Sequence, residues 1–175
     1  GAFYGQKLDI MVKDALGRSW QCATVQCEFA LRERFDLTYT SNEGKKERPV
    51  MLHRVVLGSV ERFIGTLIEH YAGAFPLWLS PVQAVVIPIT DRSHDYAEEI
   101  FNTLQKENIR VEIDKRNEKL QYKIREKELQ KTPYMLIVGD KEKEAGTISL
   151  RARKEGNVGV VKLGEFVERV RQELR

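Results

Sequence analysis

No apolar run in this sequence approaches the roughly 20 residues that a membrane-spanning helix requires, and no signal peptide is visible. Internal repeats are also missing, which excludes a repeat architecture. The 175 residues contain only two cysteines, Cys22 and Cys27. Strand alternation places these two on opposite faces, which argues against a disulfide or a shared metal. We therefore expect a globular protein of the reducing cytoplasm with no membrane partner.

A marked excess of one charge sign is missing as well. The 29 basic and 26 acidic residues give a formal net charge of +3, which does not by itself indicate nucleic-acid binding. The charges are unevenly distributed along the sequence. The segment from Lys115 to Lys131 contains seven basic and three acidic residues, a local excess of +4 (7 − 3). Such a stretch can bind a phosphate backbone, or it can be the solvated face of a helix.

Two regions are separated by a proline-containing linker near Pro76–Pro81. Before it, residues 7–13 and 20–29 read as two strands joined by a turn at Gly17, and residues 49–54 as a further short strand. A hairpin and one helix are too little to close a core. The chain also starts at Gly1 without a methionine. We therefore expect it to be part of a longer protein that supplies the remaining surface.

Apolar residues at helical spacing predict a helix within the stretch 52–71. They lie at Val56, Val60, Ile64 and Leu67. Gly58 and Gly65 are two helical turns apart and would share a face with almost no side chains, with Arg62 one turn beyond Gly58. A glycine costs about 1 kcal/mol relative to alanine inside a helix, so either another backbone or a ligand should pack on this face.

After the linker, strands and helices alternate. Strands are predicted at residues 83–89, 110–113, 134–138, 147–153 and 158–161, and helices at 96–106, 119–130 and 163–174. This order predicts an α/β sandwich with a mainly parallel sheet.

Several motifs resemble one enzyme family. M-L-H-R and G-S-V-E-R-F, at residues 51–54 and 58–63, resemble the third signature motif of class II aminoacyl-tRNA synthetases in its threonyl-tRNA synthetase form. W-Q-C-A-T-V-Q-C-E-F and L-R-E-R-F-D-L-T-Y agree with this. Downstream, D-K-R-N-E-K, K-I-R-E-K and V-G-D-K-E resemble the anticodon-binding domain of the same family. The resemblance extends over essentially all of the chain.

The resemblance implies two domains. Residues 1–77 would be the C-terminal part of the catalytic domain, with its antiparallel sheet. Residues 78–175 would be a three-layer α/β anticodon-binding domain with a mixed, mainly parallel sheet. The implied reaction converts L-threonine and ATP, with Mg²⁺, to threonyl-adenylate and passes threonine to tRNA-Thr. The family's first two motifs are missing and its members dimerise, so we expect this chain to be inactive alone and its parent enzyme to be a homodimer.

The resemblance also assigns residues to the substrate site. Arg62 and Lys7 match catalytic positions. The matching ATP and substrate positions are Tyr4, Gln21, Thr24, Gln26, Gly58, Ser59 and Arg62. Plain alternation puts Thr24 and Gln26 on one strand face and Gln21 on the other, unless the strand is bulged or twisted. Ordinary cross-strand hydrogen bonding would explain these polar side chains equally well.

His53 in M-L-H-R matches a zinc-binding histidine of the family. The implied Zn²⁺ has three protein ligands and keeps an open position for the threonine amine and hydroxyl. The other two ligands, a cysteine and a histidine, would precede Gly1, and neither Cys22 nor Cys27 matches that cysteine. On the residues alone, a lone histidine ahead of a helix such as His53 is usually an ordinary polar residue and not a metal ligand.

In the second region, the positions that match anticodon-binding residues are Arg116, Asn117, Lys119, Arg125, Glu142 and Arg151. Amide, carboxylate and guanidinium groups can distinguish the exposed edges of single-stranded bases. A salt bridge within D-K-E-K-E is the alternative explanation for Glu142.

Two other functions fit the same residues. One is a non-catalytic, synthetase-derived RNA-binding or regulatory module, although Arg62, Ser59 and His53 have no purpose in such a protein. The other is a class II enzyme for a different amino acid, which M-L-H-R together with G-S-V-E-R-F disfavours.

Overall fold

The computed structural model of the protein describes residues 4–175. The chain divides into two compact units, Gly1–Ala72 and Gly73–Arg175. Within the described residues, no helix is long and apolar enough to cross a membrane.

The first unit is built on an antiparallel three-stranded sheet. In chain order its elements are β1 (Tyr4–Lys13), β2 (Ser19–Glu28), α1 (Ala30–Arg34), β3 (Tyr39–Thr40), β4 (Lys46–Glu47), β5 (Met51–Val55) and α2 (Val60–Tyr71). The sheet order is β1-β2-β5, and β3 and β4 form a separate small hairpin. The predicted hairpin and the short strand after it are confirmed.

One carboxylate organises the turn between β1 and β2. Asp14 Oδ1 accepts hydrogen bonds from the backbone N–H groups of Leu16 and Arg18, at 3.0 and 2.9 Å. Gly17 has a φ of +77°, in the left-handed region that favours glycine. Gly17 is therefore the turn residue that the sequence predicted.

Helix α2 begins later than its apolar spacing indicated. Residues 51–55 pair with β2 as a strand, and Gly58 has a φ of +69°, which an α-helix does not contain. Ser59 then caps the helix, because its Oγ accepts from the backbone N–H three residues on, at 3.4 Å. Only Gly65 lies within α2, so the prediction that the two glycines share a helix face was wrong.

The first unit buries little apolar surface. Among residues 4–72, Cys22 is the only buried hydrophobic residue, and no residue of α2 is buried. Val56 of the predicted apolar stripe lies before the helix, and Val60 and Ile64 are about half exposed. This agrees with the expectation that a hairpin and one helix do not close a core.

The second unit is built on a five-stranded sheet. Its elements are β6 (Ala84–Pro88), α3 (His94–Lys106), β7 (Val111–Ile113), α4 (Leu120–Leu129), β8 (Tyr134–Val138), α5 (Asp140–Ala145), β9 (Thr147–Ala152), β10 (Gly156–Lys162) and α6 (Leu163–Glu173). The strand order is β10-β9-β8-β6-β7. Strand β6 is parallel to β7 and β8, and β9 is antiparallel to both of its neighbours. Every strand except β9 therefore runs the same way, which confirms the mixed, mainly parallel sheet.

Helices cover both faces of this sheet. Alternate residues of β6 belong to different core clusters, with Val86 in one and Val85 in the other. The Val86 cluster includes residues from α3 and α6, namely Ile100, Leu104, Phe166 and Val170. The Val85 cluster includes Ile124 from α4. The unit is therefore a three-layer α/β fold, as the strand–helix alternation predicted.

Helix α5 was not predicted, because D-K-E-K-E-A carries no apolar stripe. Its ends are defined by caps. At the start, Glu142 Oε2 accepts from the Gly139 backbone N–H at 3.0 Å. At the end, Gly146 has a φ of +63°, a left-handed conformation that suits glycine. Local hydrogen bonding rather than burial specifies this helix.

Candidate functional sites

Most of the predicted substrate-site residues lie on one face of the first sheet. Residues directly opposite each other on neighbouring strands point to the same face. Lys7 on β1 pairs with Gln26 on β2, which pairs with His53 on β5. In the next row, Asp9 pairs with Thr24. These five side chains therefore share a face.

Two bulges bring Tyr4 and Gln21 to this same face. The first lies in β1 between Tyr4 and Lys7, where β1 has one more residue than β2. The second lies in β2 at Cys22, which has no partner in the register. An extra residue reverses the alternation of a strand. The expectation from plain alternation, that Gln21 faces away from Thr24, therefore does not hold.

Asp9 lies at the centre of a hydrogen-bonded polar cluster. Its Oδ1 accepts from Gln21 Nε2 and from the Thr24 hydroxyl, both at 2.7 Å, and its Oδ2 lies 3.1 Å from Lys7 Nζ. Gln21 Nε2 also donates to Thr24 Oγ1 at 2.9 Å. The Thr24 hydroxyl, followed by Lys7 and Gln21, holds the pKa of Asp9 below its usual range. Asp9 was not predicted, although its spacing of two from Lys7 on a strand was a usable signal.

Arg62 is tied to β2 rather than to a neighbouring carboxylate. Its Nη1 donates to the backbone carbonyl oxygen of Gln21 at 3.0 Å, and its guanidinium carbon lies 5.5 Å from the centre of the Trp20 ring. The Trp20 indole N–H in turn donates to Asp14 Oδ2 at 2.9 Å. These contacts fix the guanidinium group of Arg62, a residue that is otherwise exposed.

Asp14 is the anchor of this arrangement. The Trp20 indole N–H, followed by Arg18, lowers the pKa of Asp14 to about 2. Arg18 Nε lies 2.6 Å from the same carboxylate, whose side chain is almost completely buried. Asp14 therefore stays ionised and holds Trp20 in place through neutral and mildly acid pH.

Gly58 and Gly65 are explained by different surroundings. A Cβ on Gly58 would lie 2.3 Å from the carbonyl oxygen of Cys22, so two backbones pack closely there. A Cβ on Gly65 would meet nothing within 4 Å. Gly65 instead lines an open cavity of about 380 Å³ together with Arg62 and Trp20. Of the two predicted reasons for a bare glycine face, close backbone packing applies to Gly58, and open space lies beside Gly65.

His53 is exposed and lies beside Gln26 in the sheet. Among residues 4–175, no group of three or more His, Cys, Asp or Glu side chains is placed to hold a metal ion. Both cysteines are free. The described residues therefore do not form the expected zinc site by themselves, and of the positions matched to that site they supply His53 only.

In the second unit, Arg116 is engaged by two carboxylates. Its Nε and Nη2 donate to Asp114 Oδ1 and Oδ2 at 2.9 and 2.7 Å, and Nη2 also pairs with Glu126 on α4. The buried Lys123 ammonium donates to the backbone carbonyl oxygen of Asp114 at 3.1 Å. Arg116 holds the pKa of Asp114 below its usual range. The network fastens the loop after β7 to α4.

Asn117, Lys119 and Arg125 are exposed. The first two lie in the loop that follows β7, and Arg125 lies on α4. Tyr122, which is 54% exposed, lies one helical turn before Arg125. This aromatic residue was not among the predicted ones. An exposed aromatic one turn from a predicted cationic position on the same helix was the signal that could have found it.

Glu142 and Arg151 have partners within the unit. Glu142 caps α5 through Gly139, so the salt bridge suggested as an alternative is not its observed contact. Arg151 Nη2 donates to Glu128 Oε1 at 3.2 Å near the end of α4, while its Nε is buried and has no hydrogen-bond partner. Arg151 therefore lies near the C-terminal end of α4, whereas Lys119 lies at the N-terminal end of the same helix.

The comparisons with known proteins agree with both halves of this arrangement. The family described as anticodon binding domain matches residues 83–173, more than half of the chain. The tRNA synthetase class II core domain (G, H, P, S and T) matches residues 1–71. A threonine–tRNA ligase from Clostridium botulinum (strain Langeland) is 58% identical over 175 residues, 100% of this chain. The chain belongs to the threonyl-tRNA synthetase family.

Other members of the threonyl-tRNA synthetase family are also similar to this chain. The threonine–tRNA ligase of Caldanaerobacter subterraneus subsp. tengcongensis is 56% identical over 174 residues, 99% of this chain. The crystal structure of the RNA binding domain of threonyl-tRNA synthetase from Cryptosporidium parvum Iowa II has a TM-score of 0.88 and 38% identity. The match covers 99% of this chain and 44% of the Cryptosporidium parvum chain. The chain spans only 28% and 27% of the two ligases.

Proposed function

We propose that this chain acts as part of a threonine–tRNA ligase, in which it supplies the third signature motif and the anticodon-binding domain. The observation that carries the proposal is the 56–58% identity to curated threonine–tRNA ligases over 99–100% of the chain. The shared sheet face of Lys7, Gln21, Thr24 and Gln26 supports it, because one substrate can contact side chains that share a face.

In the proposed reaction, the threonine carboxylate attacks the α-phosphorus of ATP and pyrophosphate leaves. The threonyl group is then transferred to the terminal ribose of tRNA-Thr. We assign to Arg62 and Lys7 the stabilisation of negative charge on the nucleotide. The contacts of Arg62 with Gln21 and Trp20 support this role, since they fix the guanidinium before the nucleotide arrives. Mg²⁺ would accompany ATP.

The remaining substrate-site assignments follow the sheet face and the start of α2. Tyr4, Gln21, Thr24 and Gln26 would contact substrate from the sheet. Gly58 and Ser59 would form the floor where β5 leads into α2. His53 would be one of three zinc ligands, the others belonging to residues outside this chain, and such a zinc would leave room to bind the amine and hydroxyl of threonine.

The second unit would bind the anticodon of tRNA-Thr. Asn117, Lys119 and Arg125 are exposed where the loop after β7 joins α4, which supports direct contact with RNA. Arg116 would act by holding this loop through Asp114 and Glu126.

Glu142 and Arg151 would contact bases from α5 and β9. The Arg151 side chain is 31% exposed, which supports its assignment because a base can reach it.

The same proposal places the functional domains at residues 1–77 and 78–175. It also includes a homodimeric parent enzyme that acts in the cytoplasm. These parts are supported by the family resemblance, and the end of the class II core match at residue 71 is compatible with the proposed domain boundary.

Threonine-dependent exchange between pyrophosphate and ATP tests the enzymatic proposal. The complete protein that contains these residues should catalyse exchange with threonine and not with valine at equal concentration, because valine has no hydroxyl group. The isolated 175-residue chain should catalyse none. Exchange that depends on a different amino acid would overturn the assignment to threonine. No exchange by the complete protein would favour a non-catalytic RNA-binding module.

A further inference from the structure

In the cluster around Asp9, the hydrogen-bond donors of Gln21 and Thr24 are all used, whereas some of their acceptors are not. Gln21 Nε2 has two N–H groups, and these are directed at Asp9 and at Thr24. The Thr24 hydroxyl directs its only hydrogen at Asp9 and accepts from Gln21. All hydrogen-bond donors of both side chains are therefore used within the cluster. The groups left to bind a ligand are acceptors, namely Gln21 Oε1 and one lone pair of Thr24 Oγ1.

The orientation of the Gln21 amide is set by Asp9. If the amide were turned over, its carbonyl oxygen would face a carboxylate oxygen at 2.7 Å, and two acceptors would repel each other. The carboxylate itself stays ionised, because the Thr24 hydroxyl and Lys7 favour its charged form. Asp9 thus excludes the alternative in which Gln21 offers an N–H group to a ligand.

We propose that Asp9 is a positioning residue that makes Gln21 and Thr24 present only hydrogen-bond acceptors to the substrate. The inference rests on the proposed function and names a part of its specificity. The substrate group recognised by these acceptors is an N–H or O–H donor. The amino group of the amino acid and the amine and hydroxyl groups of the nucleotide share this chemistry.

Steady-state kinetics of the complete protein distinguish these two sources. The Asp9→Ala variant should raise KM roughly tenfold for the substrate whose donor meets the cluster, the effect expected when an oriented hydrogen-bond partner is lost. The other KM should change by less than about threefold, and a change in kcat reports on Lys7, the ion-pair partner of Asp9. An increase in KM for threonine assigns the amino acid, and an increase in KM for ATP assigns the nucleotide.

The Asp9→Asn variant provides the conservative rescue. Its side-chain oxygen can still accept from Gln21 and Thr24, so most of the lost affinity should return. A merely structural role would instead lower kcat through loss of folded enzyme and leave both KM values unchanged. Glu43→Ala is the matched control, since Glu43 is an exposed carboxylate paired with Lys45 at 2.8 Å outside the cluster. Unchanged KM values for both substrates in Asp9→Ala would overturn the proposal.

A second measurement does not depend on enzymatic activity. In the complete protein, the Gln21 side-chain amide signal, assigned with Gln21→Ala, should exchange slowly with water and shift in Asp9→Ala. An amide that exchanges at the solvent rate in the unchanged chain would overturn the arrangement. If the complete protein lacks threonine-dependent activity while this amide is protected, the proposed function fails and the Asp9 arrangement stands.

Discussion

The Arg62 guanidinium donates to the backbone carbonyl oxygen of Gln21 at 3.0 Å, across 41 residues of sequence. The contact joins the first turn of α2 to the strand that carries the polar cluster. The side-chain amide of the same glutamine is bound by Asp9. Gln21 therefore couples the position of the proposed nucleotide-binding cation to that of the proposed substrate acceptors.

Replacing Arg62 should damage catalysis more than folding. Arg62→Lys keeps the charge but cannot reproduce a planar donor that binds Gln21 O and stacks on Trp20. We expect kcat/KM of the complete protein to fall by about 100-fold, an effect typical of a lost charge-stabilising donor. Arg48→Lys, at an exposed pair with Asp36, is the control and should behave like the unchanged protein. Equal kcat/KM in both variants would remove Arg62 from the site.

Replacing Gly58 or Gly65, the two glycines near Arg62, with alanine should change the stability of the first unit in opposite directions. Gly58→Ala places a Cβ 2.3 Å from Cys22 O and forces a side chain into a left-handed backbone, so it should destabilise the first unit by about 2 kcal/mol or more. Gly65→Ala meets nothing within 4 Å in a helix and should stabilise it by about 0.5–1 kcal/mol.

Denaturant unfolding of the complete protein that contains these residues measures both changes, because the first unit does not close a core alone. Trp20 is the tryptophan of the first unit, so the fluorescence change that is lost in a Trp20→Phe variant reports on this unit. The two changes need not be equal in size, but a Gly58→Ala variant as stable as the unchanged protein would contradict the close approach to Cys22.

The first unit should lose stability in acid through Asp14. Its folded pKa of about 2 lies below the ordinary value of 3.8, so the folded state binds fewer protons than the unfolded state between these values. The contribution is fully present above pH 3.8 and is lost as the pH falls toward 2. Unfolding of Asp14→Asn, followed by Trp20 fluorescence, should therefore vary less with pH in this window. An unchanged pH slope would show that Asp14 is not the anchor of Trp20.

The second unit should depend on Arg116 for the order of the loop after β7, which is proposed to bind RNA. Removing the guanidinium in Arg116→Ala leaves the buried Asp114 carboxylate without its main partner, which should lower the melting temperature of the second unit. Arg125→Ala is the matched control, since Arg125 is an exposed cation on the neighbouring helix. Arg125→Ala should change stability by less than about 0.5 kcal/mol. A similar small loss in both variants, measured by thermal unfolding, would show that the network does not hold the loop.

The three-layer fold could be predicted from the sequence because its signals are local. Strand β6 is a short apolar run that is buried throughout, and α6 carries a complete apolar stripe in Phe166, Val167 and Val170. In α5 the same approach failed, because caps at Gly139 and Gly146 define that helix and no residue of it is buried.

In the first unit, the identity of the site residues was easier to predict than their geometry. The bulge at Cys22 depends on the register between β1 and β2, which no residue in W-Q-C-A-T-V-Q specifies. Plain alternation therefore separated Gln21 from Thr24, and Asp9 went unnoticed. The start of α2 was misplaced because Val56 continues the apolar spacing, whereas Gly58 and pairing with β2 decide the boundary.

Binding of the 175-residue chain to the anticodon stem-loop of tRNA-Thr tests the central claim most directly. Affinity is compared at fixed salt with the same hairpin carrying changed anticodon bases. Three variants accompany the unchanged chain. Arg151→Ala removes the guanidinium, Glu142→Gln removes the charge but keeps a side chain able to cap α5, and Glu144→Gln is a control for charge on the same helix.

The unchanged chain should bind the cognate hairpin at least about tenfold more tightly, because base edges are read directly. Glu142→Gln and Arg151→Ala should each reduce this ratio, and Glu144→Gln should preserve it. Equal binding of the unchanged chain to both hairpins would contradict the account and leave the second unit as a phosphate-binding surface only.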